Sequence, residues 1–170
     1  VRVRCGKAVT AIDENGVALG DERIASRTVL WAAGVAASPL GISLGATDRA
    51  GRVMVREDLS VPDHPEVFVV GDLAQVVTES GRPVPGIAPA AKQMGTYAAL
   101  AIRARLDGAP TTAFRYRDYG NLATIGRLAA VVDLGRVKLT GVIAWWFWLI
   151  AHLFFLIGFR NRLVVLVDWA

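Results

Sequence analysis

Val67-Phe68-Val69-Val70-Gly71-Asp72 limits what this chain can fold into more than any other stretch. Four apolar residues, three of them β-branched, read as a buried parallel strand, since a strand covered on both faces carries no alternating polar positions. Glycine ends it, the residue that accepts a tight turn and lets another backbone or a ligand come close. Asp72 then falls at the carboxyl end of the strand, where ligands bind in open α/β sheets. An unpaired buried carboxylate costs roughly several kcal/mol, so Asp72 needs hydroxyl or amide donors. Those donors are either a hydroxyl-rich ligand or, with equal weight, the backbone of a following segment that Asp72 caps. The expected fold class is α/β.

Composition narrows the setting. The 170 residues suffice for one domain or for pieces of two. Hydrophobic residues make up 54% and the mean hydropathy is +0.42, which points towards a membrane. The single cysteine, Cys5, rules out an internal disulfide and a redox cysteine pair, and reads as a small core hydrophobe. His64, His152 and Cys5 have no metal-ligand spacing, so no metal is expected. Residues 111–170 carry seven Lys or Arg and three Asp, the source of the whole net charge of +4. Positive charge beside the longest apolar run suits an anionic membrane surface. It does not suit nucleic acid, because the basic residues are scattered and the aromatics lie in an apolar block. The chain starts in a strand-like pattern without Met and ends in an apolar run, and reads as a piece of a longer protein.

Along the chain, Val1–Cys5, Val9–Ile12 and Val17–Leu19 read as short strands, with a turn at Asp13-Glu14-Asn15-Gly16. Thr28–Trp31 reads as a stronger strand. Ala32–Val35 then offers either close approach to a flat ligand or tight packing. Val53–Val55 is a short strand, and Asp58–Pro65 is turn chemistry. A loop through Glu79–Pro83 leads to a helix over about Pro89–Leu106, with proline in its first turn and Asp107-Gly108 after it. Phe114–Asp118 reads as an edge strand, and Leu122–Arg127 with Ala129–Asp133 as a hairpin. Leu139–Phe159 then runs 21 residues without a formal charge, long enough at ~1.5 Å per residue to span the bilayer core. Trp145, Trp146 and Trp148 near one end and Arg160 and Arg162 past the other are interface features. A buried core helix is the alternative, made less comfortable by the second apolar run from Leu163 to Val167.

Three segments in this order, Thr28–Val35, Val67–Asp72 and Pro85–Gln93, resemble the pyridine-nucleotide-dependent flavoprotein superfamily. The tail, Tyr116–Arg127 followed by Ile157–Arg162, narrows it. The chain resembles the C-terminal part of type II NADH dehydrogenase, the non-proton-pumping NADH:quinone oxidoreductase. The resemblance implies a partial two-dinucleotide-binding-domain, Rossmann-like flavoprotein fold plus a C-terminal apolar helical membrane-binding region. It places the end of the NADH-binding domain at residues 1–35, the C-terminal half of the FAD-binding domain at 36–110 and the membrane-binding region at 111–170. It implies FAD as cofactor, NADH as substrate, and quinone and membrane lipid as partners, and it is compatible with a homodimer. Attachment would be peripheral and monotopic, on the cytoplasmic face of the cell membrane, with a single transmembrane helix as the alternative.

Residue by residue, the resemblance gives Asp72 the ribityl chain of FAD and Gly71 the close backbone approach. Ala88 would bring its backbone near the isoalloxazine ring. Gln93 matches the second glutamine of an Ala-Gln-x-x-x-Gln pattern on the quinone side. Pro89, also at the cofactor, stands where that pattern has its first glutamine, and Lys92 is a candidate to compensate. No catalytic acid or base is assigned. No Gly-x-Gly-x-x-Gly fingerprint occurs in the chain, so neither dinucleotide-phosphate loop of the family is present, and the piece is expected to be inactive alone. The rival readings are a related FAD-dependent pyridine nucleotide reductase and a non-catalytic membrane anchor.

Overall fold

A strand pattern becomes a sheet only where a second edge is present to take its hydrogen bonds, and that condition shapes the first part of the chain. The computed structural model describes residues 2–78, 80–156 and 158–169. Val1, Glu79, Ile157 and Ala170, which belong to the expected first strand, loop and apolar runs, lie outside the described residues. The chain divides into two compact units, with the boundary between Ala36 and Ala37.

In the first unit, β1 (Ala11–Asp13), β2 (Gly16–Leu19) and β3 (Glu22–Ala25) form an antiparallel meander. Asp13 closes the first turn by accepting the Asn15 N–H at 2.8 Å. The expected strands over Val1–Cys5 and Thr28–Trp31 are not in a ladder among the described residues. Leu30 and Trp31 are 89% and 63% exposed, so the second segment has the composition of a buried strand without the neighbours that would bury it.

In the second unit, β4 (Val53–Met54) runs parallel to β7 (Ala74–Gln75), and β5 (Ser60–Val61) pairs antiparallel with β6 (His64–Phe68). The buried parallel strand expected at Val67–Val70 is therefore corrected. Its first half belongs to β6, antiparallel to the neighbour just before it in sequence, because Pro62-Asp63 turns the chain back on itself. Val69 is buried and donates its N–H to the Leu59 carbonyl at 3.0 Å, whereas Val70 is exposed. His64, expected in a loop, starts β6 with its side chain exposed. Phe114–Asp118, expected as an edge strand, is irregular.

The helix α1 (Ala88–Leu106) forms one residue earlier than the sequence suggests. Ala90, Met94, Ala98 and Ala101 fall on one stripe and are its buried residues, as a 3.6-residue period requires. Ala90 and Met94 join Val53, Leu59, Val61, Val69, Ala74, Val76 and Val84 in one core. The other end of α1 is fixed by charge: Arg105 meets Asp58 at 2.6 Å, donates to the Pro65 carbonyl and lies 4.7 Å from the Phe68 ring centre. Burial alone would raise the Asp58 carboxyl, but the Ser60 hydroxyl and amide and the Arg105 guanidinium outweigh it and hold Asp58 below its ordinary range. Its folded value is lowered, so the stability it contributes is present above about pH 4, the unfolded value, and is lost as acid titrates the folded carboxyl. Urea unfolding across this range should show wild type and Asp58→Asn converging in acid. Parallel curves would mean that the pair contributes nothing.

A second core forms at the C-terminal end. β8 (Asn121–Gly126), β9 (Ala129–Asp133) and β10 (Lys138–Thr140) make an antiparallel sheet, with the expected hairpin as its β8–β9 half. The helix α2 (Gly141–Phe155) lays Ala144, Trp145 and Leu149 on Ala130 and Val132. The helix α3 (Phe159–Trp169) follows. The expected continuous 21-residue apolar helix is thus corrected to three elements. Leu139 and Thr140 pair with Val132 and Val131, which satisfies their backbone in the sheet. At the other end Leu156 is extended, with ψ 135°, and stops α2 after 15 residues. Among the described residues no helix is long and apolar enough to cross a membrane.

Candidate functional site

Three short pieces converge where α1 begins. Gly71 opens a 3-10 turn, Gly71–Leu73, with φ +70°, a conformation that costs other residues strain. A Cβ there would come within 3.4 Å of the Ala91 methyl on the first turn of α1, so the turn lies directly against the helix. Its N–H donates to the Met94 sulfur at 3.2 Å, one helical turn further along. Asp72 follows, exposed, and among the described residues its carboxylate has no hydrogen-bond partner. A Cβ on Gly86 would be 3.3 Å from its Oδ1. The missing side chain of Gly86 therefore makes the space in which this carboxylate stands, just before the helix.

The amino end of α1 has no side-chain cap: Ile87 is in the cap position with an extended backbone. Ala90 and Ala91 turn their N–H groups onto the Ile87 carbonyl at 3.0 and 3.1 Å, and Pro89 has none to offer. Ala88 and Pro89 are exposed at this end. The positive end of a 19-residue helix thus faces the same side as the Asp72 turn. Lys92 stands one turn above Ala88, its ammonium 4.7 Å from the Phe155 ring centre at the end of α2.

Gln93 behaves differently from its neighbours. Its Nε2 donates to the Arg117 carbonyl and its Oε1 accepts the Arg117 N–H, both at 2.9 Å. The amide copies one rung of a β-ladder and ties the segment after α1 back to the helix. Gln93→Ala should lower stability by about 1–2 kcal/mol for the two lost bonds, read as a shift of the urea midpoint of the full-length protein. An unchanged midpoint would show that the pairing contributes nothing.

Gly71, Asp72, Ala88 and Pro89 are therefore brought to one place, Lys92 reaches from it towards α2, and Gln93 turns to Arg117. Sequence reasoning missed Gly86, Met94 and Phe155. The Pro85-Gly86 step before the helix was the available signal for the first, whereas nothing local marks Met94 as the acceptor for the turn. A separate cleft of about 1040 Å³ lies between Arg56, Gln75, Arg82 and Tyr116. Gln75 Oε1 and the Tyr116 hydroxyl are buried there without a partner among the described residues, and burial, with Asp118 nearby, raises the Tyr116 hydroxyl.

A family model described as pyridine nucleotide-disulphide oxidoreductase matches residues 1–95. The chain belongs to this family. A second model, the NDH2 C-terminal domain, matches residues 119–170, so the resemblance read from the Gly-Asp segment and the tail is borne out at both ends. Type II NADH:quinone oxidoreductase Ndh of Mycobacterium tuberculosis is 43% identical over 182 residues, covering 99% of this chain and 38% of that protein. The mitochondrial internal alternative NAD(P)H-ubiquinone oxidoreductase A1 of Solanum tuberosum is 31% identical over 159 residues, covering 83% of this chain and 32% of that protein. The chain thus spans between about 32% and 38% of these relatives' length. The structure of NDH2 from Plasmodium falciparum in complex with NADH matches with a TM-score of 0.77 over 96% of this chain and 50% of that one. At 14% identity that likeness concerns the fold, and it supports the α/β class of the family member described here.

Proposed function

We propose that the chain is the C-terminal part of a membrane-associated flavoprotein that transfers electrons from NADH through FAD to a quinone. Within it, residues 1–35 would end the NADH-binding domain, 36–110 would complete the FAD-binding domain and 111–170 would meet the membrane. The observation that carries this reading is the space Gly86 leaves beside the Asp72 carboxylate at the start of α1. An exposed acceptor, a glycine turn without a side chain in the way and an uncapped helix end are the donor set and shape that a polyhydroxyl chain attached to a flat ring requires. FAD fits these residues.

When bound, FAD supplies the two-electron redox chemistry between NADH and the quinone. The protein's own residues bind and orient. Asp72 accepts hydrogen bonds from ribityl hydroxyls. Gly71 and Ala88 let the backbone approach, and the positive end of α1 favours negative charge on its side of the ring. Lys92 and the Phe155 ring give the quinone side one cation and one apolar wall. With Pro89 in place of a glutamine, that side offers fewer side-chain hydrogen bonds, and Gln93 supports it through the Arg117 backbone.

The outer faces of α2 and α3 support peripheral membrane attachment. Ile143, Ile150 and Phe154 on α2, and Phe159 and Val167 on α3, are each between 64% and 78% exposed, apolar surface that suits contact with lipid. One experiment tests the whole reading. Purified full-length protein should carry flavin absorbance that bleaches with NADH in the absence of oxygen and returns on adding a hydrophobic quinone in lipid vesicles. Absence of flavin, or bleached flavin that quinone does not restore, would overturn it.

A further inference from the structure

The last four carbonyls of an α-helix have no partner inside it, and in apolar surroundings leaving them unpaired is costly. α2 ends in the most apolar part of this chain, and one side chain meets that end. Arg162, in the first turn of α3, donates from Nε to the Leu156 carbonyl at 2.9 Å and from Nη2 to the Phe154 carbonyl at 3.1 Å. A planar guanidinium can reach two carbonyls at once, while an ammonium presents a single point of charge. Further back, Trp169 of α3 stacks on Trp148 of α2 at 4.9 Å, so α3 folds back along α2 and is held near both its ends. Phe155 lies between the two carbonyls that Arg162 grips, and its ring carries the Lys92 ammonium.

We infer that Arg162 is a positioning residue: by holding the last turn of α2 it keeps Phe155 against Lys92 and so shapes the apolar wall beside the amino end of α1. The inference rests on the proposed function, in which a hydrophobic acceptor approaches there. Arg162 does not touch the acceptor. It acts through Phe155.

The test is steady-state kinetics of the full-length, FAD-loaded enzyme with a hydrophobic quinone and, separately, with ferricyanide as a water-soluble acceptor. Arg162→Ala should raise the quinone KM by about three- to tenfold and leave ferricyanide reduction unchanged. Phe155→Ala should raise the quinone KM to a similar extent, and the double variant should add nothing to either single change. Arg162→Lys should recover part of the loss, and Arg160→Ala, which removes the same charge two residues away, should leave the KM at the wild-type value. If Arg162→Ala does not fold, Arg162→Lys and Phe155→Ala carry the comparison. Wild-type kinetics in Arg162→Lys, equal effects of Arg160→Ala and Arg162→Ala, or additive effects of Arg162 and Phe155 would overturn the inference while leaving the function standing. A wild-type enzyme that reduces ferricyanide but not the quinone would overturn the function first.

Discussion

Gly120→Ala should destabilise the full-length protein by roughly 3 kcal/mol or more, the largest effect of any single change considered. Gly120 has φ +89°, and a Cβ on it would stand 2.3 Å from the Asp133 carbonyl oxygen and 2.8 Å from the Leu134 Cα. Both are backbone atoms at the end of β9, where Asn121 pairs with Asp133, so relief of the clash requires breaking the β8–β9 register. Gly126→Ala is the reference, because nothing lies within 4 Å of its added Cβ, and its cost should fall within about 0.5 kcal/mol. Thermal or urea unfolding of the two variants side by side decides the matter. Similar midpoints would mean that the chain accommodates a side chain at Gly120 and that the close approach to Asp133 is not enforced.

Asp72→Ala should weaken FAD binding to the full-length protein by about 1–3 kcal/mol, roughly five- to 150-fold in Kd, the loss expected for charge-assisted hydrogen bonds. Because the carboxylate is exposed and caps nothing among the described residues, the stability of the flavin-free protein should hardly change. That contrast separates a ligand-binding carboxylate from a turn-capping one. Asp72→Asn, which keeps an acceptor, should lose less than the alanine variant. Stoichiometric flavin retained through dialysis by Asp72→Ala would refute the assignment, as would a destabilised protein with unchanged flavin affinity.

How much of this could be read in advance depended on the range of the forces involved. The Gly-Asp step, the helix after Pro85-Gly86 and the β8–β9 hairpin are set by neighbours in sequence, and each was legible within a residue or two. Strand direction was not. Val67–Val70 has the composition of a parallel strand, but a two-residue turn at Pro62-Asp63 brought a nearer partner to half of it. The apolar run from Leu139 misled for a related reason, since hydropathy measures what a segment can bury and says nothing of where its backbone bonds go. Leu139 and Thr140 found theirs on β9. At the candidate site, the turn at Gly71 was legible from the glycine that ends the valine run, whereas the pairing of Gln93 with Arg117 spans 24 positions and has no local signature.

The two cores of the second unit share no residue: one gathers β-strand valines and the face of α1, the other packs α2 on β9. Among the described residues, the Lys92 ammonium on the Phe155 ring links α1 to α2, and the Gln93 amide holds the Arg117 backbone in the segment that leads to β8. Each core excludes water for itself, so the α2–β9 cluster can open while α1 stays closed, at a cost below that of global unfolding. In amide hydrogen exchange the β9 protons would then form their own cooperative group. That group would speed up when Gln93 is changed, while the middle of α1 kept its protection.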